Sequence, residues 1–199
     1  MSSKILLIFS AFYVIVIEVM NAEIDISKVV LKTERLTLRP WNTDDLNDFY
    51  EYASVDGLGQ MAGWLPHKNI DESRAILQRF IDGKKTFALE FEGKVIGSLG
   101  IELYDEKELP EFDGKRGREI GYVLSKEYWG RGLMPETVKE VIKYLFEVVN
   151  LDFIVCGHFV DNLQSMRVQE KCGFRHYKKE KYTTQYGEVK DSWLSLLER

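Results

Sequence analysis

The chain has 199 residues, which is enough for one domain with a substantial hydrophobic core. Hydrophobic residues make up 45% of it and charged residues 30%, as in an ordinary globular protein. The net charge of −5 does not indicate nucleic-acid binding, which usually needs a basic face, but it allows a cationic substrate such as an amine. Cys156 and Cys172 form neither a CxxC pair nor a cluster with histidine, so buried free thiols are expected rather than a zinc site or a disulfide.

An apolar run at residues 5–17 lies near the start of the chain, between Lys4 and Glu18. It is shorter than the ~20 residues of a membrane-spanning helix, so no stable membrane insertion is expected. Three interpretations stay open: a signal peptide with a poor cleavage site, an additional packed element, or sequence upstream of the true domain start. We therefore predict an apolar N-terminal segment over residues 1–28 and a single domain over 29–199. The apolar segment is also a candidate contact for a homodimer.

The first elements of the predicted domain are one strand and two helices. Residues 36–40 alternate as a strand that ends at Pro40, and Asn42 with the acidic residues after it caps a helix. A second helix is predicted from Asp71 to Gly83, with Gly83 just beyond its end as the C′ residue.

A hairpin and a charged stretch follow. Residues 86–90 and 94–103 read as its two strands, joined by a turn at Glu92 and Gly93. The charged stretch 105–117 is predicted to be a solvated loop.

The most informative segment combines a strand at residues 119–124, a loop with Gly130 and Gly132, and a helix that begins near Pro135. A helix N-terminus presents unpaired N–H groups and a positive dipole end, which suits a phosphate, so this loop is a candidate pyrophosphate site. Two glycines alone are also typical of a simple tight turn. No Gly-Lys-Ser/Thr follows as in a Walker loop, and Pro135 stands where a dinucleotide fingerprint needs its third glycine. The helix has one apolar stripe: Met134, Val138, Val141, Ile142, Leu145 and Val149.

The remaining elements complete an α/β pattern. Residues 153–160 read as a buried strand and 162–172 as a short helix that ends at Gly173. Residues 174–182 and 189–197 then form a pair of strands. This order favours an α/β fold around one sheet.

Three stretches, residues 35–41, 119–135 and 161–174, resemble the GNAT superfamily of acetyl-CoA-dependent N-acetyltransferases, most closely its RimJ/RimL-type branch. The resemblance covers about residues 30–197. It implies a mixed central sheet of about six or seven strands with helices on both faces. It also implies acetyl-CoA as cosubstrate, no metal and a cytoplasmic enzyme. Trp129 and Met134 depart from the residues common in the family loop, and Met134 is expected to narrow the groove.

The resemblance also implies how acetyl-CoA is held. The pyrophosphate would rest on the backbone of the loop, with Arg131 adding charge, and the pantetheine arm would run beside the predicted strand and bond to Asn162. An N–H near Val123 or Leu124 would polarise the thioester carbonyl. The predicted donor-binding residues are Val123, Leu124, Trp129, Gly130, Arg131, Gly132, Leu133, Met134, Asn162 and Ser165. The alternative for Asn162 is a helix cap alone.

The catalytic residues implied by the resemblance are Glu119, Ser165 and Tyr122. Glu119 is the candidate base that takes the amine proton through water, and the hydroxyl of Ser165 would assist the departing sulfur, with Tyr122 as an alternative acid. Each has a structural alternative: a solvated edge charge, a surface serine and a core tyrosine. Trp64 and His67 are predicted to form an acceptor wall, with a loop anchor as the alternative; His67 is also a candidate base.

The function implied is direct acetyl transfer to a primary amine through a ternary complex. The acceptor is either a protein N-terminus or a small-molecule amine, and nothing in the sequence chooses between them. The alternative is a non-catalytic acyl-CoA-binding or regulatory module with the same fold.

Overall fold

The structure is a computed structural model that describes residues 20–199 and the backbone of two short antiparallel strands, β1 (Phe9–Ser10) and β2 (Tyr13–Val14). The predictions for the apolar run at 5–17 therefore lie largely outside the described residues. The end of the predicted N-terminal segment packs on the domain, because Ala22 and Ile26 are buried in its core and Asn21 bridges to Gly117.

Eight strands form the main sheet in the order β3-β4-β5-β6-β7-β8-β10-β9. All neighbours are antiparallel except β7 and β8, so the sheet is mixed, as implied, although it has eight strands rather than six or seven. The predicted hairpin is confirmed, and both turn residues, Glu92 and Gly93, have positive φ. The strands are β3 (Leu31–Lys32), β4 (Leu36–Pro40), β5 (Thr86–Phe91), β6 (Lys94–Glu102), β7 (Gly117–Leu124), β8 (Phe153–Phe159), β9 (Arg175–Thr183) and β10 (Val189–Glu198).

Helices cover both faces of the sheet, as implied. On one face α1 (Leu46–Ala53) and α2 (Ile70–Gly83) share a core cluster with Ala88 and Val95. On the other face α3 (Leu133–Glu147) and α4 (Leu163–Lys171) pack with residues such as Leu89, Ile120 and Cys156. Among the described residues, no helix combines the length and apolar character that crossing a bilayer requires.

The predicted start of the first helix is confirmed, and the predicted end of the second is wrong by one residue. Asn42 and Asp45 form a capping box around a 3-10 turn that leads into α1. Gly83, however, is the last helical residue, and Lys84 takes the left-handed conformation with φ 53°. The N–H of Lys84 donates to the Phe80 carbonyl at 3.2 Å, which closes the last turn without a C′ glycine.

The prediction that residues 105–117 form a solvated loop is wrong. Leu109 and Phe112 are 2% and 5% exposed, and with Tyr104 they pack on Phe153 of β8. The segment contains two 3-10 turns, and Gly117 already belongs to β7. Its few apolar side chains cover the part of the sheet formed by β8 and β10 and so bury that surface from water.

The parallel strands β7 and β8 stay paired only at their first residues. The register joins Gly117 to Phe153 and Glu119 to Val155, and among the described residues it goes no further. β7 continues to Leu124 and β8 to Phe159, so the two strands diverge and leave a gap between them. A cavity of about 540 Å³ occupies this gap.

Candidate active site

The cavity is lined by elements from both faces of the sheet. Side chains alternate along β7, so Tyr122 and Leu124 pack with the α3–α4 cluster while Val123 packs with the α1–α2 cluster. The α3–α4 side of the cavity contains the loop before α3 and the start of α4, and the other side contains residues from β6, β8, β9 and the α1–α2 connection. The main lining residues outside β7 are Met61, Glu102, Trp129, Gly130, Gly132, Met134, Gly157, Asn162, Ser165, Glu180 and Tyr182.

The loop before α3 presents free backbone donors. Gly130 and Gly132 have φ of 76° and 77°, a conformation that other residues rarely adopt. None of the backbone N–H groups of residues 130–134 has a hydrogen-bond partner within the described part of the chain. The side chains of Leu133 and Met134 are buried, which anchors the start of α3 in the core. These donors at a helix N-terminus fit a pyrophosphate.

Arg131 belongs to this loop, but its side chain is not among those that line the cavity. Its guanidinium lies 5.0 Å from the ring centroid of Tyr128, and its carbonyl oxygen accepts a hydrogen bond from Arg35. Arg131 is therefore outside the cavity lining, and its guanidinium lies over Tyr128, which does line the cavity.

The main chain of β7 turns part of its hydrogen-bonding groups toward the gap. Ser125 donates its N–H to the Ile96 carbonyl at 2.8 Å. Because the backbone groups of successive residues in an antiparallel strand face opposite sides, the N–H and C=O of Val123 face β6 as well. The backbone groups of Tyr122 and Leu124 consequently point the other way, toward the cavity. The Leu124 carbonyl is taken by the indole N–H of Trp129 at 2.7 Å. Of the two predicted oxyanion donors, the geometry favours Leu124 over Val123.

Tyr122, Ser165 and Asn162 are brought together at the start of α4. The hydroxyls of Tyr122 and Ser165 are 3.0 Å apart. Asn162 accepts from the Ser165 N–H at 3.0 Å, so it is the N-cap of α4, and its amide also donates to the Met61 carbonyl at 3.1 Å. Burial raises the pKa of Tyr122 well above its usual value, which keeps the phenol protonated.

Glu119 lies in the wall of the cavity on the α1–α2 side. Burial, and then the carboxylates of Glu180 and Glu102, raise its pKa to about 7. Glu102 is directly opposite Glu119 in the register of β6 with β7, so the two side chains share one face. The pKa of Glu180 is also raised, mainly by burial. Glu102 forms an ion pair with Lys85, so the acidic character of this side of the cavity rests on Glu119 and Glu180, and the carboxyl group of Glu119 titrates near neutral pH.

Comparison with known proteins identifies this architecture. A family model described as Acetyltransferase (GNAT) domain matches residues 35–175. The chain belongs to the GNAT family of acetyltransferases. This GNAT domain is 30% identical over 153 residues to "Uncharacterized N-acetyltransferase YoaA" of Bacillus subtilis, with 73% of the chain and 82% of that protein covered.

Solved structures support the fold of this GNAT enzyme. An acetyltransferase (GNAT family) from Bacillus anthracis superposes with a TM-score of 0.74 at 22% identity, covering 85% of this chain and 98% of that one. Spermidine N-acetyltransferase from Vibrio cholerae, solved with CoA and spermine, gives 0.66 at 20% identity and covers 82% and 95%. The narrower RimJ/RimL-type branch stays a prediction.

Trp64 and His67 do not line the cavity of the GNAT domain. His67 is 7% exposed, its Nδ1 lies 2.7 Å from the Ser73 hydroxyl, and its ring packs edge-on against Phe49. Burial lowers its pKa, so the imidazole is neutral. Its contacts are those of an anchor between α1 and α2, which favours that alternative, while a role as acceptor contact or base stays a prediction. Trp64 packs beside it, 5.3 Å away between ring centroids.

Several cavity residues of the GNAT domain were missed from the sequence. Glu180 and Tyr182 come from β9, and Glu102 from the end of β6. The spacing of Glu180 and Tyr182 indicated only that their side chains share one face of the strand, because residues two apart on a strand point to the same side. Nothing in the sequence indicated that the last hairpin reaches the gap between β7 and β8. Within the described residues, no group of His, Cys, Asp and Glu side chains is arranged to hold a metal ion.

Proposed function

We propose that this GNAT enzyme acetylates a small cationic amine, with acetyl-CoA as donor and Glu119 as the base. The observation that carries the proposal is a half-buried carboxyl with a pKa of about 7 in the same cavity as a loop of free backbone donors. A base poised near neutral pH is suited to removing an ammonium proton. Transfer would replace the carbon–sulfur bond of acetyl-CoA with a carbon–nitrogen bond, while nitrogen loses a proton and sulfur gains one.

The donor would be held on the α3–α4 side of the cavity, which we call the donor side. The N–H groups of residues 130–134 would bind the pyrophosphate, with the positive end of the α3 dipole behind them. The cavity-facing backbone groups of Tyr122 would bond to the pantetheine arm as an added strand does. The Leu124 N–H would also polarise the thioester carbonyl.

Tyr122 is the proposed acid for the sulfur. Its phenol stays protonated and shares a hydrogen bond of 3.0 Å with the Ser165 hydroxyl. When Tyr122 gives its proton to sulfur, the hydrogen of this bond can therefore shift from Ser165 toward the phenol oxygen. Ser165 is then a positioning group for Tyr122 as well as a neighbour of the donor. The capping bonds of Asn162 hold the first turn of α4, and with it Ser165, in place.

The opposite side of the cavity, which we call the acceptor side, supports a cationic substrate. Glu102, Glu119 and Glu180 face it, and Tyr182 and Met61 form apolar walls. Glu180 and Glu102 raise the pKa of Glu119, and a nearby cation would offset part of that repulsion. A small amine with a second positive charge fits this arrangement better than an extended peptide. The structure of the spermidine N-acetyltransferase with spermine is a precedent within the fold.

The experiment is a CoA-release assay of the full chain against polyamines, monoamines and peptides with free N-termini, in parallel with the Glu119→Gln variant. We expect release with a polyamine and strongly reduced release by the variant. Release with peptides alone would overturn the small-amine proposal. If the parent binds CoA by calorimetry but releases none with any amine, the chain is a non-catalytic acyl-CoA-binding module.

A further inference from the structure

Arg35, which lies just before β4, is connected to the donor loop by a set of hydrogen bonds. Its Nη1 donates to the Arg131 carbonyl at 2.9 Å. Its backbone N–H donates to one oxygen of Glu136 at 2.9 Å, and its Nε donates to the other at 2.8 Å. Glu136 is in the first turn of α3, so one side chain joins the edge of the sheet to both the loop and the helix that follows it.

The bond to the Arg131 carbonyl fixes the direction of the next N–H group. A peptide unit is planar and trans, so its C=O and N–H point in opposite directions. Because Arg35 holds the carbonyl of Arg131 and does not itself line the cavity, the N–H of Gly132 points away from Arg35, and Gly132 lines the cavity. With φ at 77°, Gly132 has few steric barriers to other conformations, so an outside contact would restrict the loop to this one.

Glu136 holds Arg35 in place for this contact. Nε and Nη2 of Arg35 both contact the carboxylate oxygen Oε2, a two-donor contact that the planar guanidinium of arginine provides and lysine does not, while Oε1 accepts the backbone N–H of Arg35. Burial raises the pKa of Glu136, but hydrogen bonds from Thr33 and Arg35 lower it by more, so the carboxylate is charged at neutral pH. The guanidinium therefore has a fixed anchor on α3 and its remaining N–H groups are directed at the loop.

We propose that Arg35 is a positioning residue for the donor: it holds the peptide between Arg131 and Gly132 in the orientation that binds the pyrophosphate. This inference rests on the proposed function of the loop. Arg35 does not itself line the cavity, and it acts through the backbone of the loop. A conformation set before binding spares the ligand the cost of ordering the loop, so the effect belongs in donor affinity and not in the chemical step.

The test compares Arg35→Gln with the parent on two donors, acetyl-CoA and S-acetylpantetheine, which lacks the pyrophosphate. We expect the KM for acetyl-CoA to rise about tenfold, the loss that follows one charge-assisted hydrogen bond, with kcat unchanged. The KM for S-acetylpantetheine should not change. Calorimetry with CoA gives the same comparison without turnover. Arg175→Gln removes another surface Arg–Glu contact, the one with Glu198, and is the matched control.

Two further variants separate positioning from other roles. Arg35→Lys keeps the charge but loses the planar guanidinium that contacts both Glu136 and the Arg131 carbonyl. It should therefore weaken CoA binding in the same direction even if Arg35→Gln folds poorly. The double variant Arg35→Gln, Glu136→Gln tests whether Arg35 only neutralises a carboxylate near the phosphate. Full recovery of CoA affinity in the double variant would overturn the proposal, as would equal losses with both donors or no loss with either. If the parent binds CoA but acetylates no amine, the proposed activity fails while calorimetry still tests Arg35.

Discussion

The donor side and the acceptor side of the cavity are built in different ways. The donor side uses backbone groups from one continuous stretch, the end of β7 and the loop before α3, with α4 beside it. The acceptor side uses side chains from distant parts of the chain, including Met61, Glu102 and Glu180. Backbone recognition depends on conformation and tolerates changes of most side chains, whereas side-chain recognition can change with single substitutions. The two sides can therefore diverge independently within one fold.

The largest effect is expected at the proposed base, Glu119. Replacing Glu119 with Gln should lower kcat by roughly 10²- to 10³-fold, because the base is lost while the shape of the side chain is kept. The Kd of CoA, measured by calorimetry, should stay within experimental error of the parent. Glu147→Gln, an exposed change at the end of α3, is the control. A variant that keeps parental kcat would show that another group removes the proton.

The acid on the donor side should matter less. Tyr122→Phe removes one hydroxyl next to Ser165, and because a thiolate leaves without strong assistance, kcat should fall only about tenfold, which corresponds to one hydrogen bond. Steady-state kinetics with saturating donor and amine measure this. An unchanged kcat would assign the tyrosine to the core, and a drop as large as that of the Glu119 variant would make it the main catalytic group.

Two glycine variants distinguish an effect on CoA binding by the donor loop from an effect on the stability of the fold. Gly130→Ala and Gly93→Ala both place an alanine at positive φ where the new Cβ meets nothing within 4 Å. Each should cost about 1–2 kcal/mol of unfolding free energy. Only Gly130→Ala should also weaken CoA binding, because only its backbone belongs to the loop. Denaturant titration and calorimetry test both halves, and equal CoA affinities for the two variants would remove the loop from the donor site.

The smallest effect is expected at the acceptor wall. Glu180→Gln should raise the KM of a polyamine by about threefold to tenfold and leave the KM of acetyl-CoA unchanged, since one of several partly solvated charges is lost. Glu188→Gln in the turn between β9 and β10 is the control. A rise in the KM of acetyl-CoA instead would place Glu180 on the donor side.

The same contrast explains what the sequence could predict. Gly130, Gly132 and Pro135 are close in sequence, and so are Asn162 and Ser165, so local rules for loops and caps predicted the loop before α3 and the cap of α4, while the resemblance supplied their proposed roles toward the donor. Glu180, in contrast, reaches the cavity only because β10 pairs between β8 and β9 and carries β9 to that place. Leu109 and Phe112 are likewise buried because they cover an apolar surface formed by β8 and β10, and no local sequence pattern reveals that surface. For His67 the sequence left open an anchor and an acceptor wall, because its position between two helices fits both, and its contacts with Ser73 and Phe49 favour the anchor.

Raised carboxyl pKa values also give stability a pH dependence. The pKa of Glu119 is about 7 in the folded chain against a usual value of 4.5, so the folded state holds its proton more tightly than the unfolded state. This group therefore destabilises the fold progressively as pH rises from about 4.5 to 7, and Glu119→Gln should remove that part of the dependence.

The most direct test of the central claim is the pH dependence of kcat/KM for the parent and for Glu119→Gln with the same amine. We expect the parent to show a rising limb with an inflection near pH 7, from ionisation of Glu119, and the variant to lack this inflection. A variant that keeps the inflection at the same pH would contradict the assignment of Glu119 as the base.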